Sequence, residues 1–570
     1  RNLGDADVTL ALTLDTDAPA GMFTVSTGEV TVPAGGTAEV TVTGDAGAGN
    51  VDGYYSAAVV ATAGESVTRT PVALYREVES YDLTVNTLDS TGAPTGDHVL
   101  LLFGHENGRF VLTSAEDGSA EVRLPKGTYL LDDAVYEGTQ EDPHTSLLVQ
   151  PKLVVDKDMT VTVDARTAKP VNVTPPAAAD LLLGDIGYAL ITDTGGLGSA
   201  YLTDDLSTMS TGQLGEALPG TTFTAKINTQ WTAADGSFYG LSWFPHGAMP
   251  TGFTKTVTKK DVAAVRATHG LPSPADRTGG KVVFPSPVSG DAFSFGVESP
   301  VDLPGSRTEY VTTDNTQWQS MLLQYHGEDL EAQFISPVNR YRAGKSYTAS
   351  FNQAVFGPAF TNDGFPGGWI YRFGNELYIE PPLFSDKAGN AGNSLVDSAS
   401  VRLYRNGELV GETEEPRAFF EVPAEDSEYR VVVTANRPTD VFDVSTAVTA
   451  EWTFRSAFVD EETVVPATAS AIRFTPRLDA ANSAPAGVPF LVPVTLQRNG
   501  TGATERPRTL KVEVSYDEGK TWKRADTILN LVAVVHHPAG AESVSLRATA
   551  TDRSGGKVTE TLLRAYKLRK

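Results

Sequence analysis

The segment ITDTGG supplies the first group that could do chemistry, because Asp193, Thr194 and Gly195 match the Asp-Thr-Gly triplet found in proteases. An aspartic protease needs two copies of D-[ST]-G-[ST], whereas Gly196 occupies the fourth place here. A serine protease needs a placed His and Ser as well as the Asp, since the triad works as a unit. Asp-Thr-Gly is also a frequent turn, and a turn is what we predict at this position.

Histidine and cysteine chemistry is sparse in this chain. The eight histidines are scattered, and no HExxH cluster occurs. Cysteine is absent, which excludes disulfides, thiolate metal sites and thiol nucleophiles. One alternative stays open, an enzyme with an unrecognised site in residues 170–383. It would need polar groups such as Asp193, His246 or His326 to converge in one pocket.

The segment FSDKAGNAGNS is the candidate for a metal site, because oxygen donors recur along it. Asp386, Asn390 and Asn393, with Ser385 beside them, could wrap a hard cation such as calcium. The spacing differs from the EF-hand loop, and Gly and Asn also suit a plain turn. A calcium loop and a turn without metal therefore both stay open, and no other cofactor is predicted.

Two stretches dense in aromatic residues are candidates for ligand binding. Exposed aromatic side chains on a β-sandwich could stack on sugar rings or clamp an extended peptide, whereas buried ones fill a core. The core is the favoured interpretation. The functional interpretation places a ligand on Trp243, Phe244, Trp369 and Tyr371.

Bulk composition excludes several classes of function. The 45 basic and 71 acidic residues give a net charge of −26, which repels nucleic acid and anionic lipid. No apolar run approaches the roughly 18 residues of a membrane span. A chain of 570 residues is too long for one core and should form about three to five domains.

Short alternating segments separated by Gly and Pro predict an all-β chain of tandem β-sandwich domains. One helix candidate, residues 258–270, interrupts this pattern. The segment SYDEGKTW, residues 515–522, fits an Asp-box and is interpreted as a structural hairpin turn. The predicted domains are a fibronectin III-like sandwich at 1–77, a transthyretin-like sandwich at 78–166, a large β-rich domain at 167–383, an Ig-like sandwich at 384–456 and a C-terminal β-sandwich at 457–570.

Several segments carry a family resemblance. EDGSAEVRLPKGTYLL resembles the transthyretin or carboxypeptidase-regulatory sandwich. RNLGDADVTLAL, FTVSTGEVTVPAGGTAEVTVT and GYYSAAVVATAGESVTRTPV resemble the fibronectin-like domain that follows the catalytic domain of secreted subtilisin-like serine peptidases. LFSDKAGNAGNS, TAEWTFRSA and VSLRATATDRSGGKVTETLLRAYKL resemble the C-terminal half of such enzymes from high-GC Gram-positive bacteria.

The resemblance implies a non-catalytic, extracellular role. The family's Ser motif, G-T-S-M-A, does not occur, and the His-Gly pairs at His246, His269 and His326 lack the following Thr-His. The implied partner is an upstream subtilase catalytic domain, which this chain would brace while it positions protein substrate or anchors the enzyme to a surface polymer. The alternative is a carbohydrate- or cell-surface-binding array. A planar row of exposed aromatics would favour sugar, and an exposed sheet edge would favour peptide. Because the strand pattern begins within ten residues of Arg1, we also expect an incomplete first domain.

Overall fold

The structure is a computed structural model that describes residues 1–139, 141–273, 276–362 and 367–569. The described residues form 45 β-strands and three short 3-10 turns, Ala46–Ala48, Ala165–Thr167 and Leu206–Thr208, and no α-helix. They contain no helix long and apolar enough to cross a membrane. The all-β prediction is confirmed. Two compact units are present, residues 1–168 with 192–195 and 212–217, and the remainder of 169–570.

The first unit contains the first thirteen strands. They are β1 Val8–Asp15, β2 Phe23–Val25, β3 Glu29–Val32, β4 Val42–Gly44, β5 Gly53–Ala63, β6 Ser66–Arg76, β7 Ser80–Leu88, β8 His98–Gly104, β9 Phe110–Thr113, β10 Ser119–Pro125, β11 Gly127–Gly138, β12 Pro143–Val155 and β13 Met159–Asp164. Within it, a sheet of order β3-β1-β5-β6 accompanies the pair β2-β4, and β10-β7-β13 accompanies β12-β11-β8-β9. Each pair of sheets is a small sandwich. That the first sandwich is incomplete stays a prediction.

The middle of the chain contributes strands β14 to β30. They are β14 Lys169–Thr174, β15 Asp180–Thr192, β16 Gly195–Thr203, β17 Met209–Gln213, β18 Phe223–Thr232, β19 Phe238–Trp243, β20 Phe253–Thr256, β21 Val262–His269, β22 Thr278–Pro287, β23 Ser299–Val301, β24 Gly305–Thr312, β25 Thr316–His326, β26 Asp329–Ile335, β27 Ser346–Phe351, β28 Ile370–Phe373, β29 Glu376–Ile379 and β30 Ala391–Ser394. A seven-stranded sheet, β16-β15-β18-β19-β24-β21-β27, and a five-stranded sheet, β23-β22-β25-β26-β30, hold most of them.

The last strands build the largest sheet. They are β31 Ser398–Arg405, β32 Glu408–Thr413, β33 Ala418–Glu421, β34 Ser427–Asn436, β35 Ala447–Ser456, β36 Val464–Pro466, β37 Ser470–Phe474, β38 Ser483–Pro485, β39 Pro489–Arg498, β40 Thr504–Glu505, β41 Thr509–Ser515, β42 Lys523–Ile528, β43 Val532–His536, β44 Ser543–Thr551 and β45 Lys557–Arg569. Thirteen of them form one sheet, in which β35 pairs with β45. Strands from the predicted domains 384–456 and 457–570 therefore share a sheet and a hydrophobic core.

Local sequence explains most strands and turns. In β34 every second residue, Tyr429, Val431, Val433 and Ala435, is buried, as expected of a strand with one face on a core. The hairpin from β31 to β32 turns at Asn406-Gly407, with both residues at positive φ, as a two-residue hairpin loop requires.

The Asp-box prediction of a hairpin turn is confirmed. The turn joins β41 to β42. Asp517 Oδ1 accepts hydrogen bonds from the Ser515 hydroxyl at 2.7 Å and from the Thr521 backbone N–H at 2.9 Å. Gly519 adopts a φ of 84°, and Trp522 packs next to it. The box is thus a local structural device in one hairpin.

The helix prediction at 258–270 is wrong. This segment contains β21, which pairs antiparallel with β24 and parallel with β27. Ala263, Val265 and Ala267 are buried on one face while Arg266 on the other face is exposed, the alternation of a strand whose two edges are both paired. Pairing with strands distant in sequence overrides the helix propensity of its alanines.

Candidate binding groove

The second unit carries an open groove with a volume of about 860 Å³. One wall is the hairpin of β15 and β16, and the other is the segment 286–295. Strand β16 is the edge strand of its sheet. Apolar side chains dominate the walls, and Phe293 is 66% exposed in a chain where most large apolar side chains are buried. The large apolar side chains of the lining that are solvent-exposed are Ile191, Val288, Phe293 and Phe295.

An extended segment without regular structure, residues 291–297, forms part of the second wall, and we call it the strap. Polar side chains of β18 hold its backbone. Lys226 Nζ donates to the Phe293 carbonyl at 3.0 Å, and Asn228 Nδ2 donates to the Phe295 carbonyl at 2.8 Å. Gln230 Oε1 accepts from the Val297 N–H at 3.1 Å. The sheet thus binds an extended main chain through side chains rather than through a strand ladder.

A buried ion pair lies beneath the strap. Lys226 Nζ is 3.0 Å from Asp185 Oδ1, and both side chains are almost completely buried. The second carboxylate oxygen, Oδ2, accepts hydrogen bonds from the Ser294 hydroxyl at 2.8 Å and from the Phe295 N–H at 2.9 Å. Asp185 and Lys226 together therefore anchor the strap through the Phe293 carbonyl, the Ser294 hydroxyl and the Phe295 N–H.

The rim of the groove carries a Ser–His contact that bears on the enzyme alternative. Ser289 Oγ lies 3.1 Å from His246 Nε2, and His246 Nδ1 lies 3.0 Å from the Thr224 hydroxyl. A Thr hydroxyl carries no negative charge to stabilise an imidazolium, as the Asp of a catalytic triad does. The Ser289 hydroxyl also lies 2.8 Å from Asn315 Oδ1 and can donate its hydrogen bond there instead of to His246. The arrangement is a hydrogen-bonded rim without the orienting acid of a triad.

The other groups named for the enzyme alternative have different neighbours. Asp193 lies in the hairpin turn between β15 and β16, as predicted for Asp-Thr-Gly. His326 is exposed and lies 3.9 Å from Glu331. The described contacts therefore do not bring Asp193, His246 and His326 into one site.

The first unit contains a buried Thr–His–Asp cluster that sequence analysis missed. His98 Nδ1 is 2.9 Å from Asp133 Oδ1, and its hydrogen bond to Asp133 raises the pKa of His98. The Thr87 hydroxyl donates to Asp133 at 2.6 Å, while His98 Nε2 accepts from the Ala115 N–H. Both nitrogens of the His98 imidazole are thus hydrogen-bonded, and neither is left to act as a base on the Thr87 hydroxyl. The cluster links strands β7, β8 and β11.

The aromatic candidates divide between core and surface. Trp243 and Phe244 are buried, and the Trp243 ring packs on Phe253, as the core interpretation predicts. Trp369 is half-buried and donates from Nε1 to the Thr361 carbonyl at 2.9 Å. Tyr371 is half-buried and belongs to an aromatic row described below.

The proposed calcium residues form a hydrogen-bonded turn. Asp386 is fully buried, and its two carboxylate oxygens accept from the backbone N–H groups of Asn352, Ala388 and Asn390 and from Asn390 Nδ2. Asn393 is exposed on β30. No group of three or more His, Asp or Glu that could hold a metal occurs among the described residues. Calcium stays a prediction, and this geometry explains the turn without a metal.

A buried carboxyl group near this turn gives a pH-dependent prediction. Burial raises the pKa of Glu560 from an ordinary 4.5 to about 8. The folded chain therefore keeps this proton where the unfolded chain has lost it, and stability falls as the pH rises from about 4.5 to about 8. Glu560→Gln removes the titration but keeps an acceptor for the Ile472 N–H, which lies 2.6 Å from Oε1.

We expect urea unfolding of the second unit to show a loss of stability between about pH 5 and about pH 8 that is smaller in Glu560→Gln by about 3 kcal/mol. Glu451→Gln, at an exposed ion pair with Arg430, is the matched control and should leave the pH dependence unchanged. Equal pH dependence of Glu560→Gln and the unsubstituted chain would contradict the assignment.

The groove was missed by sequence analysis, although a signal for it exists. Lys226, Asn228 and Gln230 alternate along β18, a pattern that normally indicates a solvent-facing side. They are buried because the strap covers them. Nothing local in the sequence connects β18 to a segment some 67 residues further along the chain.

Comparisons with known proteins give no family. No protein-family model and no curated protein matches the chain. Among solved structures, the Bacillus anthracis TIE protein is 10% identical over 61% of this chain and 68% of its own, with a TM-score of 0.14. The N-terminal eight Ig domains of Down Syndrome cell adhesion molecule are 8% identical over 99% of this chain and 85% of their own, with a TM-score of 0.13. The pilus adhesin SpaC from Lactobacillus rhamnosus GG is 10% identical over 61% of this chain and 57% of its own, with a TM-score of 0.13. Similarity this low says nothing about what this chain binds.

Proposed function

We propose that this chain is a non-catalytic, extracellular array of β-sandwich domains that holds an extended polypeptide in the groove between the β15–β16 hairpin and the strap. The observation that carries the proposal is the groove itself, open, apolar and bordered by an edge strand. An edge strand has unpaired main-chain N–H and C=O groups that can hydrogen-bond to a peptide bound as an added strand. The apolar walls would favour a peptide with apolar side chains.

The walls favour a polypeptide with apolar side chains over a charged polymer. Phe293 and Phe295 form an edge-to-face pair with ring centroids 4.8 Å apart, and both are solvent-exposed. Exposed apolar patches of this kind mark binding sites on soluble proteins. The one exposed charged side chain of the lining is Asp291, within a chain of net charge −26. An anionic ligand would be repelled.

The carbohydrate alternative is weakened by the geometry of an aromatic row in which two of the three rings are half-buried. Tyr371, Tyr378 and Phe419 are cross-strand neighbours on β28, β29 and β33. The rings of Tyr371 and Tyr378 are 4.8 Å apart and parallel to within 4°, so they cover each other's faces. A sugar ring needs an uncovered aromatic face. The central Tyr378 ring lies between Tyr371 and Phe419, so both of its faces are covered, and this stacking stabilises the sheet.

The connection to a subtilisin-like peptidase is a finer part of the same proposal. It rests on the family resemblance of the segments at both ends of the chain. A domain array that grips extended polypeptide would suit an endopeptidase, because it would present substrate to a catalytic domain carried upstream. Sequencing the gene upstream of the Arg1 codon tests this part, and finding no G-T-S-M-A segment encoded there would refute this part alone.

Peptide binding is tested by selection from a library of random peptides displayed on phage, with the full chain as bait. We expect enriched peptides rich in apolar residues, and we expect the double variant Phe293→Ala/Phe295→Ala to bind them at least about tenfold more weakly in fluorescence anisotropy. Phe419→Ala is the matched control, because Phe419 and Phe293 are both 66% exposed.

Two outcomes would overturn the groove as a peptide site. One is equal affinity of the double variant and the unsubstituted chain for the selected peptides. The other is retention of a soluble polysaccharide by the chain with no enrichment of any peptide, which would restore the carbohydrate alternative.

A further inference from the structure

We propose that Lys226 and Asp185, beneath the strap, condense to an amide bond between Lys226 Nζ and Asp185 Cγ. The result is a covalent cross-link between neighbouring strands β15 and β18. This modification is independent of what the groove binds.

The sheet places the two groups for reaction. Asp185 is the register partner of Asn228, and Lys226 is the register partner of Gly187, so the lysine and the aspartate are diagonal neighbours on one face. Gly187 has no side chain, and a Cβ there would lie 3.1 Å from Lys226 Cε. The lysine stem thus lies across the glycine, and its Nζ reaches to 3.0 Å from Asp185 Oδ1. Because folding already holds the two groups together, their reaction does not incur the entropy loss of a bimolecular encounter.

The hydrogen bonds at the site match an amide atom by atom. Oδ2 of Asp185 accepts from the Ser294 hydroxyl and from the Phe295 N–H, as an amide carbonyl oxygen would. Lys226 Nζ donates to the Phe293 carbonyl at 3.0 Å, as an amide N–H would. Among the described residues, Oδ1 accepts no hydrogen bond of acceptable angle, although Nζ is close to it. Oδ1, the carboxylate oxygen without a hydrogen bond, is therefore the oxygen that condensation removes.

The condensation balances without a co-reactant. One proton moves from the ammonium group to Oδ1, which gives a neutral amine and a neutral carboxyl group. The nitrogen lone pair attacks Cγ, the Nζ–Cγ bond forms, and negative charge gathers on Oδ2. The two donors on Oδ2 stabilise that charge in the manner of an oxyanion hole. The Cγ–Oδ1 bond then breaks, and Oδ1 leaves as water with the transferred proton and a second proton from the nitrogen.

Burial favours the neutral product. Lys226 and Asp185 are 2% and 0% exposed, and the Phe295 ring lies 5.6 Å from Nζ. A buried ion pair retains the desolvation cost of two charges, whereas the amide has none. The cross-link would fix the strap's anchors and, with them, one wall of the groove.

Intact-mass spectrometry of the purified full chain, denatured after folding, tests the proposal directly. We expect the main species to be lighter than the sequence mass by one water molecule. Proteolysis should release one branched peptide that contains both residue 185 and residue 226. Lys226→Met and Asp185→Ala should each restore the full mass expected for the variant.

Lys281→Met is the matched control, because Lys281 is also a buried lysine 3.0 Å from a carboxylate, that of Glu309, and its removal should leave the mass deficit unchanged. The proposal is overturned if the unsubstituted folded chain has its full sequence mass, in which case the pair is an ordinary ion pair. It is equally overturned if the lost water maps to a cyclised Asp or Asn within a single linear peptide. Both of these outcomes are measured on the unsubstituted chain, so neither depends on whether the variants fold.

Discussion

Glu309→Gln is expected to destabilise the second unit by about 3–5 kcal/mol, because it leaves two buried cations without their shared anion. Glu309 Oε1 lies 3.0 Å from Lys281 Nζ and 2.9 Å from Arg307 Nε, and all three side chains are at least nine-tenths buried. Burial also lowers the pKa of Lys281 to about 8. The glutamine fills the same volume, so the loss of charge, and not a cavity, accounts for the effect.

Urea unfolding at neutral pH, followed by tryptophan fluorescence, measures the effect, since the fully buried Trp318 packs in the same part of the unit. Lys281→Met is the informative comparison. It removes one cation but keeps the pair of Arg307 and Glu309, and its apolar chain can lie against the Phe351 ring, which Lys281 Nζ now approaches to 4.1 Å. We expect it to cost clearly less than Glu309→Gln. A cost for Glu309→Gln below about 1 kcal/mol, typical of a surface pair, would refute this account.

Trp452→Ala should destabilise the second unit by about 3–5 kcal/mol, the range for deleting a large aromatic side chain from a core. Trp452 is fully buried on β35 and packs on Phe360 with ring centroids 5.6 Å apart. Its Nε1–H donates to the Ser470 carbonyl at 3.0 Å. Truncation therefore opens a cavity and also leaves a buried carbonyl without its partner.

The position of Trp452 makes the effect extend across the largest sheet. Its strand pairs with β34 on one side and β45 on the other, so the cavity lies where the two predicted C-terminal domains join. Trp522→Ala serves as the control, because Trp522 is half-buried in the Asp-box turn and should cost about 1 kcal/mol. Equal shifts in urea midpoint for the two variants would show that Trp452 has no special role in stabilising the pairing between the two predicted C-terminal domains.

The sequence alone determined the fold class and the local turns. Alternation along segments such as VTLALTLD and SEYRVVVTAN specifies strands with one buried face, and that signal needs only a few consecutive residues. The Asn406-Gly407 hairpin and the Asp-box turn follow equally from neighbouring residues, since positive φ and short side-chain hydrogen bonds are local requirements. The absence of cysteine and of the subtilase motifs G-T-S-M-A and H-G-T-H is likewise visible in the printed letters.

Only the tertiary structure decided which strands meet and which polar groups are buried. Residues 262–269 are a strand because β24 and β27 pair with both of its edges, a fact that its own letters do not contain. That Asp386 is buried, with four N–H donors from Asn352, Ala388 and Asn390 around its carboxylate, is likewise visible only in the folded chain. Asp185 and the strap that covers it are more than a hundred residues apart, Asp185 to Ser294 spanning 109 positions. Burial and charge pairing at such separations depend on the whole chain's packing, so the groove and its buried ion pair appear only once the strands are assembled.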